Sequence, residues 1–261
     1  KLIVQPAGML EPWARRRKKI QKLFFYRLAE SRLFEICDSV HATSPAESRN
    51  LIDVGIPAHK IFMIEEGIFM PPQVQALTSK QSSVKTLLFL SRLHPVKGLD
   101  LLLDALSLLR PRDWRCVIAG MGDSAYLEVL NQKVQQYNLG SMVVFSGPLL
   151  GAEKEQAFRS ADAFILPSYS ESFGIAIAEA MSWGLPVITT QATPWSVILE
   201  QNMGWYVDST LSGITEALFD LMNASPTSLS QMGQRGCRYV ESRYSWSAVG
   251  LRMSRVYRSL I

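Results

Sequence analysis

The sequence predicts an α/β protein built on a doubly wound parallel sheet, joined to a second α/β domain that is incomplete. Three observations carry this. From residue 85 onward, short apolar runs suited to strands buried on both faces alternate with helical segments. Glycines mark the turns between them, at Gly98, Gly120, Gly122 and Gly184. The first 70 residues, by contrast, hold three strand-like runs, too few to close a sheet of their own. Strands and helices alternating at this spacing imply parallel pairing with right-handed crossovers.

Taken in order, residues 1–4 form a strand-like run, and 13–34 read as one long basic helix. A strand over 40–43, a helix over 45–54 and a strand over 61–64 follow. The stretch 71–84, rich in Pro, Gln and Ser, is a linker. The main domain spans 85–243. Its strands are predicted at 85–91 (KTLLFLS), 114–119 (WRCVIA), 142–145, 163–166, 186–189 and 205–207. Helices are predicted at 99–109, 125–137, 153–160, 173–183, 212–223 and 227–242. A last helix, within 244–261, is expected to pack back on the N-terminal part.

Composition narrows the class. The chain has 261 residues, 48% apolar and 19% charged, which suits a folded core and not a disordered chain. The net charge of +4 is concentrated, because Arg15, Arg16, Arg17, Lys18, Lys19 and Lys22 all fall between 15 and 22. Cys37, Cys116 and Cys237 are far apart with no CxxC or Cys/His spacing, so no structural zinc site is expected. Three thiols in apolar contexts read as buried and free, in a reducing compartment. No run is long and apolar enough for a bilayer, and no signal peptide opens the chain. The strand-like start at Lys1 reads as a cut in mid-domain.

Two constellations carry chemistry. The first, 91–98 (SRLHPVKG), follows the first strand of the main domain. Ligands of open parallel sheets sit beyond the carboxyl ends of strands. Arg92 offers a planar fork of donors there and Lys97 a compact charge, which together suit a diphosphate. Gly98 allows close backbone approach. In isolation, an Arg and a Lys on a loop would be two solvated charges. The second constellation, at the same edge, runs from Pro167 through Glu171, Ser172, Phe173, Gly174 and Ile175 to Glu179. Ser172 and Gly174 suit a helix start, where free N–H groups and the helix dipole favour an anion. Paired glutamates suit a hydroxyl-rich ligand such as a sugar or ribose. Glu171 alone would serve equally as a helix cap. Glu179 stands among Ala176, Ala178, Ala180 and Met181, where a charge is costly unless it meets a ligand or partner. A paired-carboxylate hydrolase needs acids flanking one bond, and nothing places these two that way. No G-x-G-x-x-G is present.

With these motifs in place, the chain resembles the retaining glycosyltransferases of family 4, which have the GT-B fold. The matching segments are SRLHPVKG (91–98), AGMGD (119–123), FSG (145–147), PSYSESFGIAIAEAM (167–181), GLPVITT (184–190) and YSW (244–246). GMLEPWA (8–14) is similar to the later part of that family's first domain, which makes 1–70 a remnant of the acceptor-side domain. The resemblance implies that the earlier part, with its glycine-rich loop, stands before Lys1. It implies that Arg92 and Lys97 hold the diphosphate and that Glu171 contacts the donor sugar near the reacting carbon. Phe173, Gly174 and Ile175 would present N–H groups to sugar and phosphate. Glu179 would accept the ribose hydroxyls, and Gly120 and Gly122 would shape the nucleotide loop. No cofactor and no bound metal are implied, the substrate being a nucleoside-diphosphate sugar. One departure stands out. Where the family often has Asn-Gly-hydrophobic-Asp at the interdomain crossing, this chain has Glu66, Gly67, Ile68 and Phe69.

The expected activity is metal-independent, retaining sugar transfer to an unknown glycan or lipid-linked acceptor, in polysaccharide or glycolipid synthesis. Two alternatives remain beside it: a truncated, inactive nucleotide-sugar-binding module, and a GT-B sugar-nucleotide epimerase. Trp13, Ile20, Leu23, Phe24 and Phe25 among the six cations suit an anionic membrane surface; a solvated helix on a domain edge fits them as well. The expected location is the cytoplasm, with the segment from Trp13 to Lys22 as the part that would meet the inner face of the membrane. Nucleic acid is not expected as a partner, because the cations are not interleaved with stacking aromatics. His41, His59 and His94 read as structural.

Overall fold

The computed structural model describes residues 1–6, 31–72, 84–111 and 113–260. The basic segment from Trp13 to Lys22 and most of the 71–84 linker lie outside the described residues. The chain divides into two compact units. The first comprises Lys1–Ile68, Ser172–Gly174 and Arg243–Ile261, and the second Phe69–Glu171 and Ile175–Ser242.

The first unit holds a parallel sheet in the order β1 (Ile3–Val4), β2 (Ser39–Ala42), β3 (Ile61–Met63). Its helices α1 (Ser31–Ile36) and α2 (Pro45–Asp53) connect these strands. Phe34, Cys37, Val40, Ala42, Leu51 and Ile56 form its core. Ser44 caps α2 by accepting from the Glu47 N–H, with Pro45 in the first turn, where its missing N–H costs nothing. Lys60 Nζ donates to the carbonyls of Glu35 and Cys37, each at 2.9 Å, and so neutralises the negative end of α1.

The last helix of the chain (Trp246–Leu260) also belongs to this unit. Its anchor is Glu65, whose side chain is 7% exposed. Arg243 Nη2 lies 3.0 Å from one Glu65 oxygen and Arg252 Nη1 2.6 Å from the other. Burial pushes the Glu65 carboxyl up, but a backbone N–H and the two guanidiniums outweigh it and hold the acid below its ordinary value. A depressed acid adds stability that is complete above its unfolded value, about pH 4.3, and is lost as pH falls through the lower folded value. Glu65→Gln is therefore expected to lower the urea midpoint at pH 7 and to change it far less at pH 3. An equal effect at both pH values would show that the two ion pairs contribute nothing.

The second unit is a six-stranded sheet, entirely parallel, in the order β6-β5-β4-β7-β8-β9. The strands are β4 (Lys85–Leu90), β5 (Trp114–Ala119), β6 (Val143–Gly147), β7 (Ala163–Leu166), β8 (Val187–Thr190) and β9 (Gly204–Val207). Every residue of β7 and β8 is buried; β7 is an unbroken apolar run, and in β8 the buried Thr189 and Thr190 hydroxyls donate to the carbonyls of Leu166 and Ser168. Around the sheet lie α3 (Leu99–Leu109), α4 (Ser124–Gln136), α5 (Gly151–Ser160), α6 (Ile175–Ser182), α7 (Val197–Glu200), α8 (Leu211–Asn223) and α9 (Pro226–Tyr244). The strand order reverses between β4 and β7, and a crevice opens at the carboxyl ends of strands where such a reversal occurs. All three cysteines are free, with Cys37 and Cys116 buried in the first and second unit respectively.

Several boundaries differ from the sequence prediction. Helix α6 begins at Ile175, two residues later than the periodicity predicts, because Gly174 adopts φ 79°, outside helical backbone. Glu179 consequently sits one turn into the helix. The short helix α7 and the 3₁₀ turns Ala58–Lys60 and Pro95–Lys97 have no sequence counterpart, because three or four residues carry no period. No helix among the described residues is long and apolar enough to cross a membrane.

Candidate functional site

The loops after β4 and β7 meet at the reversal of strand order. After β4 the chain makes the 3₁₀ turn Pro95–Lys97, capped by His94, whose Nδ1 accepts from the Val96 N–H. Gly98 ends that turn and starts α3 with φ 68°, a left-handed conformation. A Cβ there would stand 2.0 Å from the carbonyl oxygen of Pro167. The loop that carries Lys97 is thus pressed, backbone to backbone, against the loop that carries Glu171.

This closeness brings Lys97 onto Glu171. Lys97 Nζ is 2.5 Å from Glu171 Oε1, and the two side chains are 14% and 9% exposed. Ser168 Oγ donates to the same oxygen at 2.8 Å. The Ser168 carbonyl in turn accepts from Thr190 Oγ1, and the Glu171 N–H donates to Ala192 O at 3.2 Å. The carboxylate is therefore held by the loops after β4 and β7, and the backbone of its own loop is tied to β8 and the loop after it. Its side chain does not act as a simple helix cap.

Arg92 is exposed on the wall of a cleft of about 600 Å³, formed by the loops after β4, β5 and β6. Gly120 and Gly122 line the same cleft, with Leu93, His94, Met121 and Leu149. A Cβ on Gly120 would stand 1.8 Å from Ser91 O, and one on Gly122 2.4 Å from Leu93 O. These two glycines let the loop after β5 lie directly against the Arg92 loop. A Leu93–Gly122 bridge ties the two loops together.

Glu179 meets a partner that sequence reasoning missed. Lys154 Nζ, from α5, lies 2.6 Å from Glu179 Oε1, with the side chains 31% and 24% exposed. Glu179 shares no hydrogen bond with the Lys97–Glu171 pair among the described residues. Ser172, Phe173 and Gly174 are grouped with the first unit, where the buried Phe173 ring packs edge-on to Tyr244 at 5.4 Å. Ile175 is 45% exposed at the start of α6. Glu171 and Glu179 thus each stand against a lysine, Lys97 and Lys154, while Arg92 is exposed on the cleft wall.

Comparison with known proteins agrees with this geometry. The family model described as "Glycosyl transferases group 1" matches residues 75–236. A D-inositol 3-phosphate glycosyltransferase of Kineococcus radiotolerans is 28% identical over 90% of this chain, which spans 60% of that relative's length. A GDP-mannose-dependent alpha-(1-6)-phosphatidylinositol monomannoside mannosyltransferase of Mycolicibacterium smegmatis is 31% identical over 63% of this chain and 45% of its own. In fold, the chain is similar to the Anabaena protein HepE, solved in complex with UDP and glucose. That match has a TM-score of 0.83 at 19% identity and covers 99% of this chain and 71% of HepE. With a family model covering more than half of its length, the chain belongs to the group 1 glycosyl transferases, whose fold is GT-B.

Proposed function

We propose that the second unit binds a nucleoside-diphosphate sugar and that the whole protein transfers the sugar, with retention at the anomeric carbon and without a divalent metal, to a glycan or lipid-linked acceptor. The observation that carries this reading is the Lys97–Glu171 pair at the reversal of strand order, beside the cleft lined by Arg92. As the bond from the anomeric carbon to the phosphate oxygen breaks, negative charge grows on the leaving diphosphate and positive charge on the sugar ring. Arg92 and Lys97 stabilise the first and Glu171 the second. The acceptor hydroxyl forms the new bond on the face the phosphate leaves, and its proton departs with the diphosphate. Glu179 receives the ribose hydroxyls. HepE was solved with UDP and glucose, and the Mycolicibacterium relative is named for GDP-mannose. Both names support a nucleoside-diphosphate donor. The Mycolicibacterium name also supports a lipid-linked acceptor, met on the cytoplasmic face of a membrane by the basic segment from Trp13 to Lys22.

The test is a calorimetric titration of UDP, GDP and ADP, and of their sugars, into the chain without metal. One nucleotide is expected to bind. Arg92→Ala and Glu179→Ala should each weaken it by about ten- to a hundredfold, the loss of one charged hydrogen-bonding partner. A folded chain that binds none of them would overturn the reading.

A further inference from the structure

Tyr169 lies between Ser168 and Glu171 in the loop after β7, and it holds the opposite loop at two points. Its N–H donates to Val96 O at 2.8 Å, and its hydroxyl donates to Asp100 Oδ2 at 3.0 Å. Val96 immediately precedes Lys97, and Asp100 follows Gly98 by two residues. A single residue of the Glu171 loop therefore clasps the Lys97 turn on both of its flanks, once through backbone and once through side chain. The second hold is built on a half-buried acid. Among the described residues the shielded Asp100 Oδ1 has no hydrogen-bond partner, and neither does the buried hydroxyl of Tyr126. Burial, and then the Asp100 charge, push the Tyr126 hydroxyl up to about 12. The Tyr169 hydroxyl is raised too, first by burial and then by its bond to Asp100. Both phenols stay protonated at neutral pH, so Tyr169 remains a donor to the carboxylate.

We infer that Tyr169, anchored on Asp100, is a positioning residue whose hydroxyl sets the Glu171 carboxylate for the transfer step, while its N–H bond to Val96 keeps the Lys97 turn in place for the nucleotide. The inference rests on the proposed function. Nucleotide binding draws on Arg92, Lys97 and Glu179, none of which is bonded to Tyr169. Glu171 acts on the charge that develops at the sugar, so its placement matters most in the transition state. Misplacement by about 1 Å costs up to a hundredfold in rate.

The experiment measures, in the whole protein, nucleotide affinity by calorimetry and the KM and kcat of donor turnover, for the wild type, Tyr169→Phe, Asp100→Ala and Asp100→Asn. Tyr169→Phe and Asp100→Ala are expected to lower kcat about tenfold or more, with donor KM and nucleotide Kd within about twofold. Asp100→Asn should restore kcat, because its amide oxygen still accepts from Tyr169 while its NH₂ meets the orphaned Tyr126 hydroxyl. The inference is overturned if kcat is unchanged in Tyr169→Phe, or if affinity and rate fall together, or if Asn at 100 is as poor as Ala. An unsubstituted chain that neither binds nor turns over donor would refute the proposed function itself, and the role of Tyr169 with it. That failure is visible before any variant is made.

Discussion

Lys97→Met is expected to destabilise the second unit by about 3–5 kcal/mol and to abolish measurable nucleotide binding. Both effects come from one geometry. Lys97 and Glu171 are almost fully withdrawn from water, and Glu171 Oε1 takes only Lys97 and Ser168 as side-chain donors among the described residues. Removing the lysine leaves a buried carboxylate with a single hydroxyl to neutralise it, the costly half of a broken pair. Urea unfolding at pH 7 measures the loss. The double variant Lys97→Met with Glu171→Gln removes the stranded charge, so its midpoint should return most of the way to wild type. Nucleotide binding should not return, because it needs the cation itself. If the single variant is as stable as the double, the pair is balanced by solvent and the ion-pair account is wrong.

Gly98→Ala is expected to cost about 2–4 kcal/mol and to weaken nucleotide binding at least tenfold, although it touches no charged group. A left-handed alanine alone costs roughly 1–2 kcal/mol. The larger part is steric, since the new methyl would stand 2.0 Å from Pro167 O, and backbone on both sides resists movement. Relief comes only by separating the two loops, which also separates Lys97 from Glu171. Thermal unfolding and the same calorimetric titration test this jointly. Lower stability with unchanged affinity would mean that the loops part somewhere other than the ion pair.

The sheet was legible because its central strands β4 and β7 are buried on both faces and read as largely apolar runs, and because its strands alternate with helices at a regular spacing. The predicted 163–166 coincides with β7, and 114–119 with β5. Ends were less legible where a glycine conformation decides them, as at Gly174 before α6. The sequence also shows that two cations and two glutamates stand at one edge. It does not show that they pair as they do. Lys97 finds Glu171 74 residues further on, and Glu179 finds Lys154, 25 residues back. Such partners are chosen by strand order, which local pattern does not encode. Lys154 carries no local signal, since it sits among other charges on a helix predicted only from its period. The clasp by Tyr169 is equally invisible, because a tyrosine in a polar loop has no reason to be singled out until Asp100 lies beside it.

The buried cysteines have a use that follows from where they sit. Cys37 belongs to the core of the first unit and Cys116 to the middle of a strand in the second. Burial pushes the Cys37 thiol up and the Cys116 thiol to about 12. Thiols react as thiolates, which attack the electrophile, so neither cysteine is labelled by an aqueous electrophile until its surroundings open. With the less buried Cys237 replaced, each remaining sulfur becomes a stopwatch for its own unit. Labelling kinetics, followed by mass spectrometry, then report whether the two halves breathe together or apart, and whether a nucleotide that slows one of them slows the other.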